Sequence, residues 1–588
     1  MTQDDSHPNT VLRLYRLFQE LFLFDRADGG LVRRVGTELE WFSLPGGWTL
    51  FEEGAEANAL YIVTSGSLGV FVNDGDGGSR LIARLGVGET VGEMAMISGA
   101  PRSASIRALR DTSLLRLGKP GFDRLMAEHP AAMMPIARQL VERLQRLTVV
   151  KDHPPAPGTI ALLPLTPSVP IAELAQSLAG ALSAGGQRVH LLDADAAVHT
   201  EDWFHAIESA HDLILYRADR EATAWSRLCL RQADRIVLLA DAGEAPPPEL
   251  HAAELLDRPG LPVAELVLLQ APDAGMPSAG RAWLDRYGPT CRCQLRRGHA
   301  GDLARLARLL GNKAVGLVLS GGGARGFGHI GVVKALREYG VTFDFVGGAS
   351  MGAIIAAGLA FQWGDAELRD RMHAAFVASD PLNDYTLPLV ALIKGGKATR
   401  RLRRHFGDAL IEDLWLPYFC LSSDLTAGSA RVHRTGLLWK ALRASIAIPG
   451  VLPPVVDAGT VLVDGAVMNA LPADVMNELM HGAIIGVDVA ADWSVSAEID
   501  SFETGMLRNL MNLRRGHAPG IVSLLMRAAT VSSSAQTRDS RAHVDLLIEP
   551  PLDDIGIRDW RTFDDAIETG YRHTMELLER ERPDLPVA

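Results

Sequence analysis

"FDFVGGASMGAIIAAG", Phe343 to Gly358, reads as an apolar strand, a sharp turn and an apolar helix. The turn is Gly348-Ala349-Ser350-Met351-Gly352, a G-x-S-x-G pattern. Glycines two residues to either side of a serine allow a turn tight enough to expose its Oγ at the start of a helix. A helix N-terminus there favours developing negative charge. Ser350 is therefore a candidate nucleophile, with Gly348 and Gly352 forming its elbow.

Upstream lies a second strand–turn–helix, "VGLVLSGGGARGFGHIGVVKAL", Val315 to Leu336. A phosphate-cradling loop would read G-x-x-x-x-G-K-[ST], and no Lys-Ser/Thr pair ends this one. Gly321, Gly323 and Gly326 satisfy G-x-G-x-x-G, but a lone match is weak. The only acidic candidate at a suitable distance, Asp344, directly precedes the next apolar run. The loop Gly321, Gly322, Gly323, Ala324, Arg325, Gly326 fits better as an oxyanion hole, where N–H groups need close approach without a Cβ. Losing one such donor typically costs about 10²–10³ in rate.

A hydroxyl nucleophile needs a base. Downstream, "ASIAIPGVLPPVVDAGTVLVDGAVMNALPADVM" places Asp464-Gly465-Ala466 after an apolar strand. Together G-G-G-x-R-G, G-x-S-x-G and D-G-A resemble the patatin-like phospholipase family over about residues 315–480. The resemblance implies Ser350 as nucleophile and Asp464 as its base. It also implies an oxyanion hole from the backbone at Gly322, Gly323 and Ala324, with Arg325 steadying that loop or an anionic part of the substrate. His329 invites a triad, but it lies in the helix after the loop, where the family uses no histidine base. His373, His405 and His433 stay open on spacing alone. Asp424 in "CLSSDLTAG" reads as a cap or supporting residue.

Nearer the N-terminus, short alternating stretches such as "ALYIVTSGSLGVFV" and "SASIRAL" are separated by Gly/Asp/Asn turns, the rhythm of a small β-barrel or jelly roll. An amphipathic helix, "VLRLYRLFQELFLF", precedes them, and the helical pattern "PGFDRLMAEHPAAMMPIARQLVERLQRL" follows. Within this region "GETVGEMAMISGAPRSASIRA", Gly88 to Ala108, resembles the phosphate-binding cassette of cyclic-nucleotide-binding domains. That resemblance implies Glu93 on the ribose 2′-OH and Arg102 on the cyclic phosphate, with Ser103 and the backbone around Gly92 and Ala104 completing the site. A lone arginine among small residues suits one buried phosphate. cAMP or cGMP is the ligand implied, cAMP being favoured. A DNA-binding regulator is disfavoured, because no helix-turn-helix follows.

Between these regions, "TIALLPL", "RVHLLDAD", "DLILYRAD", "RIVLLADA" and "VAELVLLQ" alternate with helical patterns, which indicates a parallel sheet. "LPLTPSVP" after the first strand has neither lysine nor glycine, so a rigid connector is the reading here. The expected fold is multidomain α+β and α/β. Its parts are an N-terminal cyclic-nucleotide-binding β-roll (12–150), a Rossmann-like α/β segment (158–310) and a patatin-like α/β hydrolytic domain (313–588). This arrangement resembles the bacterial relatives of neuropathy target esterase, which implies lysophospholipase or phospholipase B activity.

Composition sets outer bounds. The 588 residues suggest about three to four domains, and a net charge of −13 argues against bulk nucleic-acid binding. Four cysteines, with Cys291 and Cys293 in a C-x-C spacing that is unusual for zinc, suggest a reducing, cytoplasmic setting, no metal and no catalytic cofactor. The start "MTQDDSHPNT" does not resemble a signal peptide, and the most apolar runs fall short of the ~18 residues that span a bilayer. Contact with a membrane is then expected from its surface. "KGGKATRRLRRHF", Lys394 to Phe406, is either a solvated helix face or a phospholipid-headgroup contact. The rival to an esterase is a cyclic-nucleotide sensor whose hydrolase domain is non-catalytic.

Overall fold

The computed structural model describes residues 38–73, 79–128, 158–199, 201–247, 264–287, 291–380, 382–387, 389–489 and 533–581. The helix expected over 11–24 and most of the pattern after Glu128 lie outside the described residues. The chain divides into two compact units, Met1–Val267 and Leu268–Ala588.

The first unit opens with a roll of two antiparallel four-stranded sheets. Its strands are β1 (Leu39–Leu44), β2 (Thr49–Phe51), β3 (Ala59–Ser65), β4 (Leu68–Asn73), β5 (Ser79–Leu85), β6 (Thr90–Val91), β7 (Ser105–Ala108) and β8 (Thr112–Gly118). They pair in the orders β1-β8-β3-β6 and β2-β7-β4-β5. Val63, Leu68, Leu85, Ile106 and Leu114 fill the space between the sheets. A short helix, α1 (Glu93–Ser98), interrupts the strands between left-handed glycines at 92 and 99. This is the cassette singled out from the sequence.

The parallel segment follows, with β9 (Thr159–Pro164), β10 (Val189–Leu192), β11 (Leu213–Arg217) and β12 (Arg235–Asp241). All three pairings, β10 with β11, β11 with β9 and β9 with β12, are parallel. β9 is wholly buried, as its unbroken apolar run requires. The ion pairs Arg110–Glu208 (2.9 Å) and Arg231–Asp111 (3.0 Å) tie the roll to this layer. Strand β13 (Ala264–Gln270) carries the point at which the two compact units divide.

In the second unit, β14 (Cys291–Arg296) leads to β15 (Ala314–Leu319), β16 (Phe345–Ala349), β17 (Tyr418–Asp424), β18 (Ser429–His433), β19 (Val455–Asp457), β20 (Thr460–Asp464), β21 (Gly482–Val487) and β22 (Leu546–Ile548). The main sheet runs β19-β20-β17-β16-β15-β21-β22, with β18 added on β17. Its centre is parallel, and β20 joins β17 antiparallel. Five helices matter to the site: α2 (Gly328–Glu338), α3 (Met351–Ala360), α4 (Gly396–Phe406), α5 (Leu438–Ser445) and α6 (Phe563–Glu581). Every residue of α3 is buried, so this helix lies in the core. No described helix is long and apolar enough to cross a membrane.

Candidate active site and nucleotide pocket

Ser350 sits between the end of β16 and the start of α3 with φ 52° and ψ −120°, a conformation that a side-chain-bearing residue adopts only under constraint. The constraint comes from β15. A Cβ on Gly348 or Gly352 would lie 2.3 or 2.2 Å from the Leu319 carbonyl, so only glycines let the elbow press against the neighbouring strand. Ser445, at the end of α5, accepts the Ser350 N–H on its Oγ at 2.9 Å.

Asp464 closes β20, and its Oδ2 accepts the Ser350 hydroxyl at 2.8 Å. Its Oδ1 accepts the Ala466 N–H at 2.9 Å. Its backbone is fixed by Ala447 O and Ser423 Oγ. Burial pushes the carboxyl up to about 6, partly offset by those two hydrogen bonds. The sheet thus joins two residues 114 positions apart, because β17 lies between β16 and β20.

The glycine loop passes directly over the serine, Gly321 lying so close that a Cβ would be 3.2 Å from the Ser350 Cβ. Two of its N–H groups are engaged elsewhere, Gly321 with Ala470 O (3.1 Å) and Ala324 with Ile557 O (2.9 Å). Among the described residues, those of Gly322 and Gly323 meet no backbone or side-chain acceptor. Of the three donors expected, Gly322, Gly323 and Ala324, the last is thus already bonded to Ile557 O. Gly323 has φ 59°, and a Cβ there would collide with Ile557 O. Arg325 donates from Nε to Ile555 O (2.7 Å) and from Nη2 to Asp553 O (3.1 Å). These bonds tie the glycine loop to the 553–557 segment. Gly326 packs on Met351.

No described histidine is hydrogen-bonded to the Ser350–Asp464 pair. His329 is fully buried, its Nε2 bonded to Ser320 O at 2.9 Å, and burial pushes it down to about 4. It is a neutral support for the strand end before the glycines. His433 bonds Ser422 Oγ and is likewise pushed down to about 4. Asp424 caps the β17–β18 turn through the N–H groups of Thr426 and Ala427.

In the roll, a cavity of about 220 Å³ is lined by Phe51, Val70, Gly92, Glu93, Arg102, Ser103, Ala104 and neighbours. All five residues expected of the nucleotide site therefore share one pocket. Arg102 is buried, with Nη1 on Gly92 O (2.9 Å), Nη2 on Ala59 O (2.7 Å) and the guanidinium 4.1 Å from the Phe51 ring centroid. Its Nε has no acceptor among the described residues. Glu93 begins α1 and is buried.

An uncharacterized NTE family protein from Mycobacterium tuberculosis is 31 % identical over 579 residues, covering 95 % of each chain. The chain belongs to the neuropathy target esterase family. The Patatin-like phospholipase family matches residues 317–477, the Cyclic nucleotide-binding domain 41–129 and the Neuropathy Target Esterase family P-loop like domain 158–288. Patatin-like phospholipase domain-containing protein 6 of Homo sapiens is 30 % identical across 92 % of this chain and 44 % of its own length. The Neurospora crassa relative named Lysophospholipase nte1 is 27 % identical across 99 % of this chain and 44 % of its own. The chain thus spans about half the length of these longer family members. The patatin-like match lies within the second unit and contains both Ser350 and Asp464. The P-loop-like match falls on a segment whose first loop, Leu165 to Pro170, has none of the glycines or lysine of a phosphate cradle.

Three features of the site were not foreseen from the sequence: Ser445 beneath the serine, Ser423 behind the aspartate, and the 553–557 segment clamping the glycine loop. Ser445 lies in the quoted "ASIAIPG", but nothing in that stretch marks a hydrogen-bond partner. A backbone carbonyl such as that of Ile557 leaves no side-chain signature at all.

Proposed function

We propose that this chain is a serine hydrolase of lysophospholipid or phospholipid acyl esters, working through a Ser350–Asp464 dyad. The observation that carries this reading is the 2.8 Å hydrogen bond between Ser350 Oγ and the buried Asp464 carboxylate. Asp464 takes the hydroxyl proton as Oγ adds to the ester carbonyl. The developing oxyanion turns toward the N–H groups of Gly322 and Gly323 in the glycine loop, beside the N-terminal end of α3 that carries Ser350. Collapse breaks the ester C–O bond, and Asp464 returns the proton to the departing glycerol oxygen. Water, deprotonated by the same carboxylate, then releases the fatty acid and restores Ser350.

The roll's role in this reading is to bind a cyclic nucleotide and alter turnover. Arg102 and Glu93 both line the cavity, and the resemblance to cyclic-nucleotide cassettes supports a phosphate contact for the first and a ribose contact for the second. The decisive experiment measures fatty-acid release from lysophosphatidylcholine vesicles with and without saturating cAMP, with Ser350→Ala as the blank. Release that disappears in the variant and changes with cAMP supports both parts. Undiminished release from Ser350→Ala would sink the dyad, and release indifferent to bound cAMP would remove the regulation. Typical coupling would be about 5–150-fold.

A further inference from the structure

The segment before the basic helix is a short hairpin with an apolar tip. Tyr385 bridges Ile393, the Thr386 N–H donates to Leu392 O at 3.1 Å, and the Lys394 N–H donates to Asp384 O at 2.8 Å. The side chains of Tyr385, Leu387, Leu389 and Val390 are 62, 81, 91 and 67 % exposed. Single exposed apolar residues are ordinary, but such a cluster on one hairpin marks an interaction site. The base of the hairpin is well anchored. Asp384 Oδ2 accepts the Lys397 N–H, and the N–H groups of Leu392 and Ile393 donate to Gly450 O and Val451 O. Gly450 and Val451 lie in sequence between Ser445 and Asp464, so the hairpin is anchored to the stretch that joins the two.

Helix α4 follows directly. It buries Ala398, Leu402 and Phe406. Helical spacing puts Lys397, Arg400 and Arg404 together on another face, where Arg400 and Arg404 are exposed. Among the described residues no carboxylate pairs with Arg400 or Arg404, although the chain as a whole carries −13. An apolar tip backed by unpaired cations repeats the layering of a bilayer, acyl chains beneath anionic headgroups. One weak hydrophobic anchor plus a basic patch is the combination that gives stable but reversible attachment.

We propose that the 384–394 hairpin and the Lys397/Arg400/Arg404 face of α4 dock the chain on an anionic phospholipid bilayer, bringing the mouth of the Ser350 site to its lipid. The inference rests on the lipid-ester reading above. Its test is co-sedimentation of the full chain with vesicles of phosphatidylcholine alone or mixed with phosphatidylglycerol, at low and high salt. Thermal melting reports folding, and a soluble short-chain ester reports the dyad separately. Wild type is expected to bind the mixed vesicles, and less so in salt. Leu387→Ser/Leu389→Ser should weaken binding about tenfold or more, and Arg400→Gln/Arg404→Gln should abolish the preference for phosphatidylglycerol. Both variants should melt as wild type; if the leucine pair does not, Leu389→Ala replaces it. Absence of vesicle binding by the wild type, or variants that bind as it does, overturns the proposal. Surface-dependent binding without any ester hydrolysis would leave the docking surface standing and reject the esterase reading instead.

Discussion

The N–H of Ala324 donates to the carbonyl of Ile557 at 2.9 Å, so a turn just before the last helix holds the glycine loop beside Ser350. Arg325 adds two charge-assisted bonds to the same turn. Bonds of this type are each worth about 1.5–3 kcal/mol. Arg325→Ala should therefore lower kcat about 10–100-fold with little change in KM, since the loop geometry is lost rather than a substrate contact. Arg325→Lys, a point charge without the fork, should fall between. A rise in KM at unchanged kcat would instead assign Arg325 to an anionic part of the substrate.

Ser445 does comparable work from below. It accepts the N–H of a residue held at φ 52°, a strain of order 1–3 kcal/mol that neighbouring bonds must offset. Ser445→Ala leaves that buried donor unpaired and should destabilise the fold by about 1–3 kcal/mol while reducing kcat. Ser445→Thr keeps the acceptor and should recover part of both. A variant with unchanged melting and turnover would make the bond incidental.

The two elbow glycines make a sharper steric prediction. A Cβ at Gly352 would lie 2.2 Å from Leu319 O and 2.5 Å from Ser320 O, both backbone atoms that cannot swing aside. Gly352→Ala should abolish turnover and lower the melting temperature. Gly364→Ala, where no atom lies within 4 Å of the added carbon, should leave both nearly unchanged. Equal behaviour of the two variants would mean that the elbow is slack.

In the roll, Arg102 lines the cavity and already satisfies Gly92 O and Ala59 O, while its buried Nε has no acceptor among the described residues. Arg102→Ala should weaken cAMP binding about 100-fold or more in calorimetry, and Arg102→Lys should restore little of it, because the planar fork spans groups that an ammonium cannot. Binding at wild-type strength in Arg102→Ala would rule out a phosphate site at this position.

What the sequence revealed and what it withheld divide along physical lines. G-x-S-x-G and D-G-A are legible because close backbone approach permits only glycine at fixed offsets: at Gly465, for example, a Cβ would lie 2.3 Å from Leu421 O. The parallel layers are legible because strands buried on both faces, such as β9 and β15, read as unbroken apolar runs. The order β10-β11-β9-β12 was not legible, since an alternating rhythm fixes strand type but not neighbours. The engagement of Ala324 by Ile557 was hidden because it joins two main chains 233 positions apart, and any residue type could supply those atoms. The apolar tip at Leu387 and Leu389 was equally hidden, because leucines in a run signal burial until the fold leaves them outside.

Asp464 ties catalysis and stability to pH in opposite directions. Its carboxyl is pushed up to about 6, chiefly by burial. Only the ionised form can take the Ser350 proton, so kcat/KM should level off above pH ~6 and fall about tenfold per unit below it. In the unfolded chain the same group titrates near 3.9. The folded state therefore binds the extra proton between about pH 4 and pH 6, and the stability this contributes is fully present below that window. It is lost as pH rises through about 6, a difference of up to ~3 kcal/mol at neutral pH. Asp464→Asn cannot ionise, yet its amide can still donate to Ser350 Oγ and accept from the Ala466 N–H. The variant should be inactive. In urea unfolding it should match wild type near pH 4 and exceed it at pH 8. An active Asp464→Asn, or a stability gain independent of pH, would show that the carboxylate is not the base and that its burial costs the fold nothing.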